Sequence, residues 1–227
     1  MTRPPVRIVT VSREFGAGGG DFAARLGERL GWPVLDHEIL HRVAERLRMD
    51  DDTVARFDEH PPGLLARIAS VLVIPQPEVY EFPPVEGVPD HDTIARATAA
   101  AILAAAAAPP LVVVGHGSQC LLAGRPDTLH VFLHAPVAPR VARLAQRLRV
   151  NAVAAPQLMR HADRERGEYV RRYHHRDWRD PSLYDLQFGT GTIPVADAVA
   201  IVEQLVRGRE AGATAPSAPA PDGAELS

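Results

Sequence analysis

The stretch SREFGAGGGDFA, residues 12–23, connects an apolar-rich run at residues 7–11 to an amphipathic segment at residues 22–30. Four of the five positions from 16 to 20 are glycine. A glycine-rich loop between a strand and a helix presents backbone N–H groups and a helix N-terminus to an anion. The stretch therefore predicts a strand, a phosphate-binding loop and a helix in an α/β protein.

This loop lacks the lysine that usually accompanies such an arrangement. When Gly18 is taken as the second glycine of the pattern G-x-x-x-x-G-K-[ST], Gly19 occupies the lysine position and Gly20 the hydroxyl position. The whole chain contains arginine but no lysine, so phosphate must be held by guanidinium groups, backbone N–H groups or a metal. Arg13 is the only side chain of the loop that adds positive charge, and Asp21 is a candidate magnesium ligand. The predicted phosphate-binding residues are Gly16, Ala17, Gly18, Gly19, Gly20 and Asp21.

Two other motifs compete with this interpretation. Gly18, Gly20 and Ala23 satisfy the dinucleotide-binding pattern G-x-G-x-x-A, with Asp36 as a ribose-binding acid, but six residues separate the strand from the first of these glycines. That spacing favours a loop that wraps phosphate.

The second competing motif is HEILH, residues 37–41, which matches the zinc pattern H-E-x-x-H. His37 and His41 would share one helix face, with Glu38 as the base and Glu59 as a third ligand. Two solvent-edge histidines on an amphipathic helix explain the same residues, and this is the interpretation we favour.

Strand and helix patterns alternate along the chain. Apolar runs predict strands at residues 7–11, 34–35, 111–114, 129–133 and 185–188. Helical spacing predicts helices at residues 22–30, 37–48, 93–108, 137–149, 155–173 and 195–206. The alternation predicts a doubly wound parallel sheet flanked by helices, with ligands at the carboxyl ends of the strands. We expect a single domain over residues 1–207 and a disordered tail from residue 208.

Composition limits the class of partner. The chain of 227 residues has a net charge of −3, one cysteine and no apolar stretch of membrane-spanning length. These features predict a cytoplasmic protein without nucleic-acid or membrane partners, and they leave its oligomeric state open.

The arginines of residues 155–173 form the densest cationic cluster of the sequence. Helical spacing places Arg160 and Arg164 on one face, with Asp163 and Arg166 nearby. This cluster and Arg13 supply the candidate cations for contact with phosphate, which are Arg13, Arg160, Arg164 and Arg166.

Several segments together resemble the cytidylate kinase-like family, a degenerate branch of the P-loop nucleoside monophosphate kinases. The resemblance rests on VSREFGAGG (residues 11–19), LDHEILHR (35–42), VVVGHGSQ (112–119) and RHADRERGEY (160–169), and it extends over residues 7–206. It implies a P-loop kinase-like fold, an acceptor-binding region at about residues 36–92 and a helical lid at about residues 155–175.

The resemblance also implies an activity. The expected reaction is transfer of a phosphoryl group from ATP to CMP, giving CDP and ADP, with Mg²⁺ as the metal. An arginine that contacts a transferring phosphoryl group is worth about 10³-fold or more in rate, which makes the candidate catalytic residues Arg13, Arg160, Arg164 and Arg166. It places Asp36, Arg42, His116, Asp163 and Arg166 around the acceptor. The chain departs from the family at Gly20, His116 and Gly189, where relatives carry a basic residue, an arginine and an asparagine. A nucleotide-binding regulator without catalysis is the alternative.

Overall fold

The computed structural model describes residues 4–36, 91–149 and 154–214, and within them five strands form one parallel sheet. The strands lie in the order β2-β3-β1-β4-β5. Their bounds are β1 (Ile8–Arg13), β2 (Val34–Leu35), β3 (Leu111–Val114), β4 (Thr128–His134) and β5 (Leu186–Gly189).

β1 is the central strand. Ile8 pairs with Leu111 of β3 on one side and with Thr128 of β4 on the other. Every residue of β3 is buried, as expected for a β-branched run covered on both faces of a parallel sheet. The chain moves from β1 towards β2 and later crosses back to β4, so the switch in strand order lies beside β1. Ligands of such sheets bind at the carboxyl ends of the strands next to this switch.

Helices cover both faces of the sheet. The helices are α1 (Gly19–Leu30), α2 (His91–Ala106), α3 (Ser118–Leu121), α4 (Val137–Leu148), α5 (Ala154–His174) and α6 (Val195–Thr214), with a 3₁₀ turn at Pro181–Leu183. One core contains Phe22 and Leu26 from α1 with Val199 and Val202 from α6, and another contains Ile102 from α2 against β3. The predicted doubly wound fold is confirmed.

Two boundaries differ from the sequence prediction. α6 runs to Thr214 rather than ending near Val206, so residues 208–214 are helical where a disordered tail was expected. Arg207 pairs with Glu203 one turn earlier at 3.0 Å and donates to the carbonyl of Arg29 at 2.8 Å, and these contacts fix the backbone just before Gly208. The short helix α3 was not predicted, because four residues are too few for a periodic pattern.

Other predictions lie outside the described residues. These are the helix at 37–48, most of the acceptor-binding region and the tail beyond Thr214. Among the helices in the described ranges, none combines the length and the apolar character needed to cross a bilayer.

Candidate functional site

The glycine loop lies at the carboxyl end of β1 and leads directly into α1. Gly16 and Gly18 have φ values of 84° and 87°, in the left-handed region that favours glycine. A Cβ on Gly16 would lie 2.9 Å from the carbonyl oxygen of Arg140, so crowding adds to the backbone requirement. Gly18 caps α1, whose first backbone N–H groups have no partner within the helix. The loop therefore ends in donors suited to an anion.

Three side chains hold the loop from behind by its carbonyl groups. Arg140 Nε donates to the carbonyl of Phe15 at 2.8 Å, and Arg143 Nη1 donates to that of Gly16 at 3.3 Å. The hydroxyl of Thr190 donates to the carbonyl of Ala17 at 2.8 Å. A trans peptide directs its N–H opposite to its C=O. The carbonyl groups of Phe15 and Gly16 thus point towards α4 and that of Ala17 towards Thr190, so the N–H of Gly18 is turned away from Thr190.

A group of four charged residues, which we call the loop–lid network, joins the loop to α5: Glu14, Arg140, Asp163 and Arg179. Arg140 is only 3% exposed, and its guanidinium contacts Glu14 at 3.0 Å and also the carboxylate of Asp163. Asp163 Oδ1 accepts a hydrogen bond from the backbone N–H of Phe15 at 2.8 Å. Arg179 adds a contact of 2.9 Å to Glu14. The buried guanidinium of Arg140 is thus paired with two carboxylates, whereas 52% of the Arg179 side chain is exposed.

Arg13 extends from the end of β1 between two glycines. A Cβ on Gly19 would lie 2.5 Å from its Cγ, and a Cβ on Gly115 would lie 2.3 Å from its Nη1. Burial, and then the charge of Arg166, lower the pKa of Arg13 to about 9, against an opposing effect of Asp36. The guanidinium stays protonated at neutral pH, so it is a cation that has lost much of its hydration.

Arg166 approaches the loop from α5. Its Nη1 donates to the carbonyl of Arg13 at 3.0 Å, and its guanidinium lies 5.3 Å from the ring centroid of Phe15. Burial lowers the pKa of Arg166, with Asp163 opposing that effect and Arg140 adding to it. Two partly desolvated guanidinium groups thus come together beside the loop.

A cavity of about 800 Å³ opens between the end of β1, the turn after β3, α2 and α5. This volume suits a small organic molecule. Tyr169 forms one wall, with its ring edge-on to His116 at 6.2 Å and 4.8 Å from the ring of Tyr173. The residues that line the cavity include Ser12, Arg13, Thr98, Gly115, His116, Gln119, Arg166, Tyr169 and Tyr173.

The structure brings three of the predicted site residues together. Arg13, His116 and Arg166 all line the cavity. Asp36 ends the second strand, and its charge acts on Arg13. Arg42 lies outside the described residues, as do His37, Glu38 and His41.

Other predicted site residues lie elsewhere. Arg160 and Arg164 are exposed on α5 and do not line the cavity. Asp21 forms an ion pair of 2.7 Å with Arg25, and 51% of its side chain is exposed. Asp163 faces the loop and Arg140, and its contact with an acceptor stays a prediction. Over residues 4–36, 91–149 and 154–214, no group of three His, Cys, Asp or Glu side chains could hold a metal.

Sequence reasoning missed the residues that support the loop. Arg140 carries a signal in retrospect, because it lies four residues before the buried Leu144 and both occupy the inner face of α4. A charged residue on a buried helical stripe indicates a paired charge. Arg143 and Thr190 carry no such signal, since neither breaks a local pattern.

A glycine loop after the central strand of a parallel sheet places backbone N–H donors at the edge of the sheet where ligands bind. The chain belongs to the cytidylate kinase-like family, whose family model matches residues 8–192. Comparison with curated protein sequences gives no match.

Several solved structures are similar to this chain at low sequence identity. An uncharacterized protein from Eubacterium ventriosum ATCC 27560 is 21% identical, with a TM-score of 0.65 and coverage of 88% of this chain and 98% of that one. A gluconokinase from Sinorhizobium meliloti 1021 is 18% identical (TM-score 0.49; coverage 93% and 97%). A shikimate kinase from Acinetobacter baumannii in complex with shikimate is 14% identical (TM-score 0.48; coverage 90% and 95%). Family and fold together support a kinase-type function on a nucleotide or another small molecule.

Proposed function

We propose that this protein is an ATP-dependent nucleoside monophosphate kinase and that CMP is its first candidate acceptor. The observation that carries the proposal is the position of Arg13 and Arg166, two desolvated guanidinium groups between the glycine loop and the cavity. Phosphoryl transfer depends on positioning and charge neutralisation more than on covalent chemistry. The glycine loop would position the phosphates of one ligand, and the cavity would position a second ligand. The two guanidinium groups between them would neutralise the charge of the phosphate that is transferred.

On the donor side, the backbone N–H groups of Gly16, Gly18, Gly19 and Gly20 would hold the phosphates of ATP, whereas that of Ala17 donates to the carbonyl of Glu14 at 3.1 Å. A Cβ on Gly20 would meet nothing within 4 Å, so the start of α1 is open to a ligand there. Mg²⁺, when bound with the nucleotide, would neutralise phosphate charge. Asp21 would join its coordination only by leaving Arg25, so phosphates and water would supply most of the ligands.

On the acceptor side, the cavity would hold the nucleoside, with Tyr169 and His116 as aromatic walls. Arg166 and Arg42 would bind the acceptor phosphate, and Asp36 would orient the site. The lid helix α5 would exclude water from the transfer. Arg160 and Arg164 would reach the phosphates only after the lid moves, because both are exposed on α5.

A coupled assay of ADP release tests the proposal directly. The purified chain is mixed with ATP, Mg²⁺ and, in separate reactions, CMP, dCMP, UMP, AMP and GMP. We expect acceptor-dependent ADP release, fastest with CMP. ADP release that no monophosphate stimulates would contradict the proposal.

A nucleotide-binding regulator without catalysis is the second candidate, because the loop lacks a lysine and a hydroxyl side chain. Gly19 and Gly20 stand where an active loop has lysine and a hydroxyl. Binding of ATP and CMP at millimolar concentration without turnover of either would establish this alternative. A zinc hydrolase stays the remote third candidate, and stoichiometric zinc in untagged protein that is lost on His41→Ala would establish it.

A further inference from the structure

The side chain of Arg13 occupies the space that a lysine in the loop would need. A Cβ on Gly19 would lie 2.5 Å from Cγ and 2.7 Å from Cβ of Arg13. These distances fall below those that real Cβ atoms show, and the obstructing atoms belong to the inner part of the arginine stem. The missing lysine is therefore linked to the arginine by packing, because the loop holds one or the other in this arrangement.

The head of Arg13 lies away from the loop, at the turn after β3. Gly115 has a φ of 77°, and a Cβ there would lie 2.3 Å from Nη1 of Arg13. The guanidinium thus packs against a glycine backbone at the wall of the cavity. The turn continues with His116 and Gly117 and has no arginine of its own. Arg13, which comes from β1, supplies the guanidinium at this wall of the cavity.

Positive charge at this point is compensated only in part. Burial and then the charge of Arg166 lower the pKa of Arg13, against an opposing effect of Asp36. Burial lowers the pKa of Arg166 as well, against the carboxylate of Asp163 at 4.0 Å. The carboxylate of Asp163 is engaged by Phe15 and Arg140, so its charge is shared with a third cation. An incoming dianion would relieve both the repulsion and the loss of hydration.

We propose that Arg13, with Arg166, binds the phosphate monoester of the acceptor rather than the phosphates of ATP. The inference rests on the proposed kinase function and assigns Arg13 to its acceptor site. Position decides between the two ligands. The arginine stem lies against Gly19 at the start of α1, but the guanidinium ends at the Gly115 turn, where it lines the same cavity as Tyr169.

The test compares the binding of CMP and ATP, each measured alone by calorimetric titration, in the wild type and Arg13→Met. Methionine keeps an unbranched apolar stem and removes the charge. We expect CMP binding to weaken about 10- to 100-fold, as for loss of a charged hydrogen bond, and ATP binding to change less than about threefold. Arg29→Met is the matched control, because Arg29 pairs with Glu203 at the far end of α1. It should leave both affinities unchanged.

Thermal unfolding provides a second measurement. Removal of one of two like charges should leave the midpoint of Arg13→Met at or above that of the wild type. Should that variant fail to fold, Arg166→Met serves in its place and should show the same selective loss of CMP binding.

Three results would overturn the inference: equal weakening of ATP and CMP, unchanged CMP affinity, or no binding of any tested monophosphate by the wild type. Its failure is distinguishable from that of the proposed function. Selective loss of CMP binding without ADP release in the wild type would contradict the kinase and leave the inference standing. Normal ADP release with an unchanged KM for CMP in Arg13→Met would support the kinase function and contradict the inference about Arg13.

Discussion

The backbone N–H of Phe15 donates a hydrogen bond of 2.8 Å to the carboxylate of Asp163 and so ties the glycine loop to helix α5. The same carboxylate contacts Arg140, which in turn contacts Glu14 and the carbonyl of Phe15. One aspartate thus holds the backbone of the loop and the charge of a buried arginine. A movement of α5 as a lid would therefore have to break this hydrogen bond or carry the loop with it.

Replacing Asp163 by alanine should destabilise the fold. The change leaves the buried guanidinium of Arg140 with one carboxylate and the N–H of Phe15 without its acceptor, a loss of about 3 kcal/mol in the free energy of unfolding. Asparagine should lose less, because its carbonyl oxygen still accepts from Phe15. Urea unfolding followed by circular dichroism measures both.

Glu165→Ala is the matched control for this change, since Glu165 lies on the same helix with 64% of its side chain exposed. Its effect should stay within about 0.5 kcal/mol. Equal stability of Asp163→Ala and Glu165→Ala would show that the loop–lid network does not stabilise the fold.

Adjacent glycines of the loop should respond differently to alanine. A Cβ on Gly19 meets the stem of Arg13 at 2.5 Å, whereas a Cβ on Gly20 meets nothing within 4 Å. We expect Gly19→Ala to lose about 1–3 kcal/mol of stability through overpacking, and Gly20→Ala to be neutral or slightly stabilising. Thermal unfolding of the two variants side by side is the measurement.

Gly19→Lys extends this comparison to activity. Restoring the lysine of the loop should lower turnover rather than raise it while Arg13 is present, and pairing it with Arg13→Ala should recover stability. Higher turnover in the single variant Gly19→Lys would mean that the two side chains coexist and that Arg13 moves aside at little cost.

The fold could be predicted from the sequence because its signals are local. A few consecutive residues are enough to predict the strand at Leu111–Val114 and the glycine loop. The loop–lid network could not be predicted in the same way. Phe15 and Asp163 are 148 positions apart, and their contact depends on how α5 packs. Asp163 was assigned to the acceptor from a short motif, which carries no information about the direction of its side chain.

The sequence identified Arg13 as a residue of the site but did not predict where its guanidinium lies. Arg13 was expected as a clamp of the loop, because it was the only cation there. The structure places its head at Gly115, a residue distant in sequence that becomes a neighbour only through the pairing of β1 with β3. Crowding between Arg13 and Gly19 is likewise a property of side-chain packing that residue spacing does not reveal.

Stability should fall as the pH drops below about 6.5, and His130 should account for part of that fall. Burial lowers the pKa of His130 in the folded state, against an opposing effect of Asp185, and its Nδ1 lies 2.7 Å from the hydroxyl of Thr10. In the unfolded chain a histidine takes up its proton near pH 6.5, before the folded state does. The stabilisation is thus complete above that pH and is lost as the pH falls to the folded pKa, by up to about 1.4 kcal/mol per pH unit.

Urea unfolding between pH 5.5 and 8 checks this dependence. His130→Gln should show a shallower decline than the wild type, whereas His161→Gln, on the exposed surface of α5, should follow the wild type. A decline that is identical in all three proteins would assign the dependence to other groups.

Arg42 and Arg166 should be required for turnover but not for folding. Arg42 lies outside the described residues, and its role is a prediction from the resemblance alone; Arg166 lines the cavity and lies against Phe15. Loss of a charged contact in a closed site should cost about 2–4 kcal/mol in kcat/KM, so each alanine variant should lose roughly 30- to 1,000-fold. Lysine at position 42 should rescue only part of the activity, because a point charge cannot reproduce a two-pronged guanidinium contact. The coupled ADP assay measures kcat/KM, and circular dichroism measures whether each variant is folded.

Arg29→Ala is the control for removal of a surface arginine. Wild-type turnover in both alanine variants would mean that the acceptor residues of the family do not carry over to these two positions.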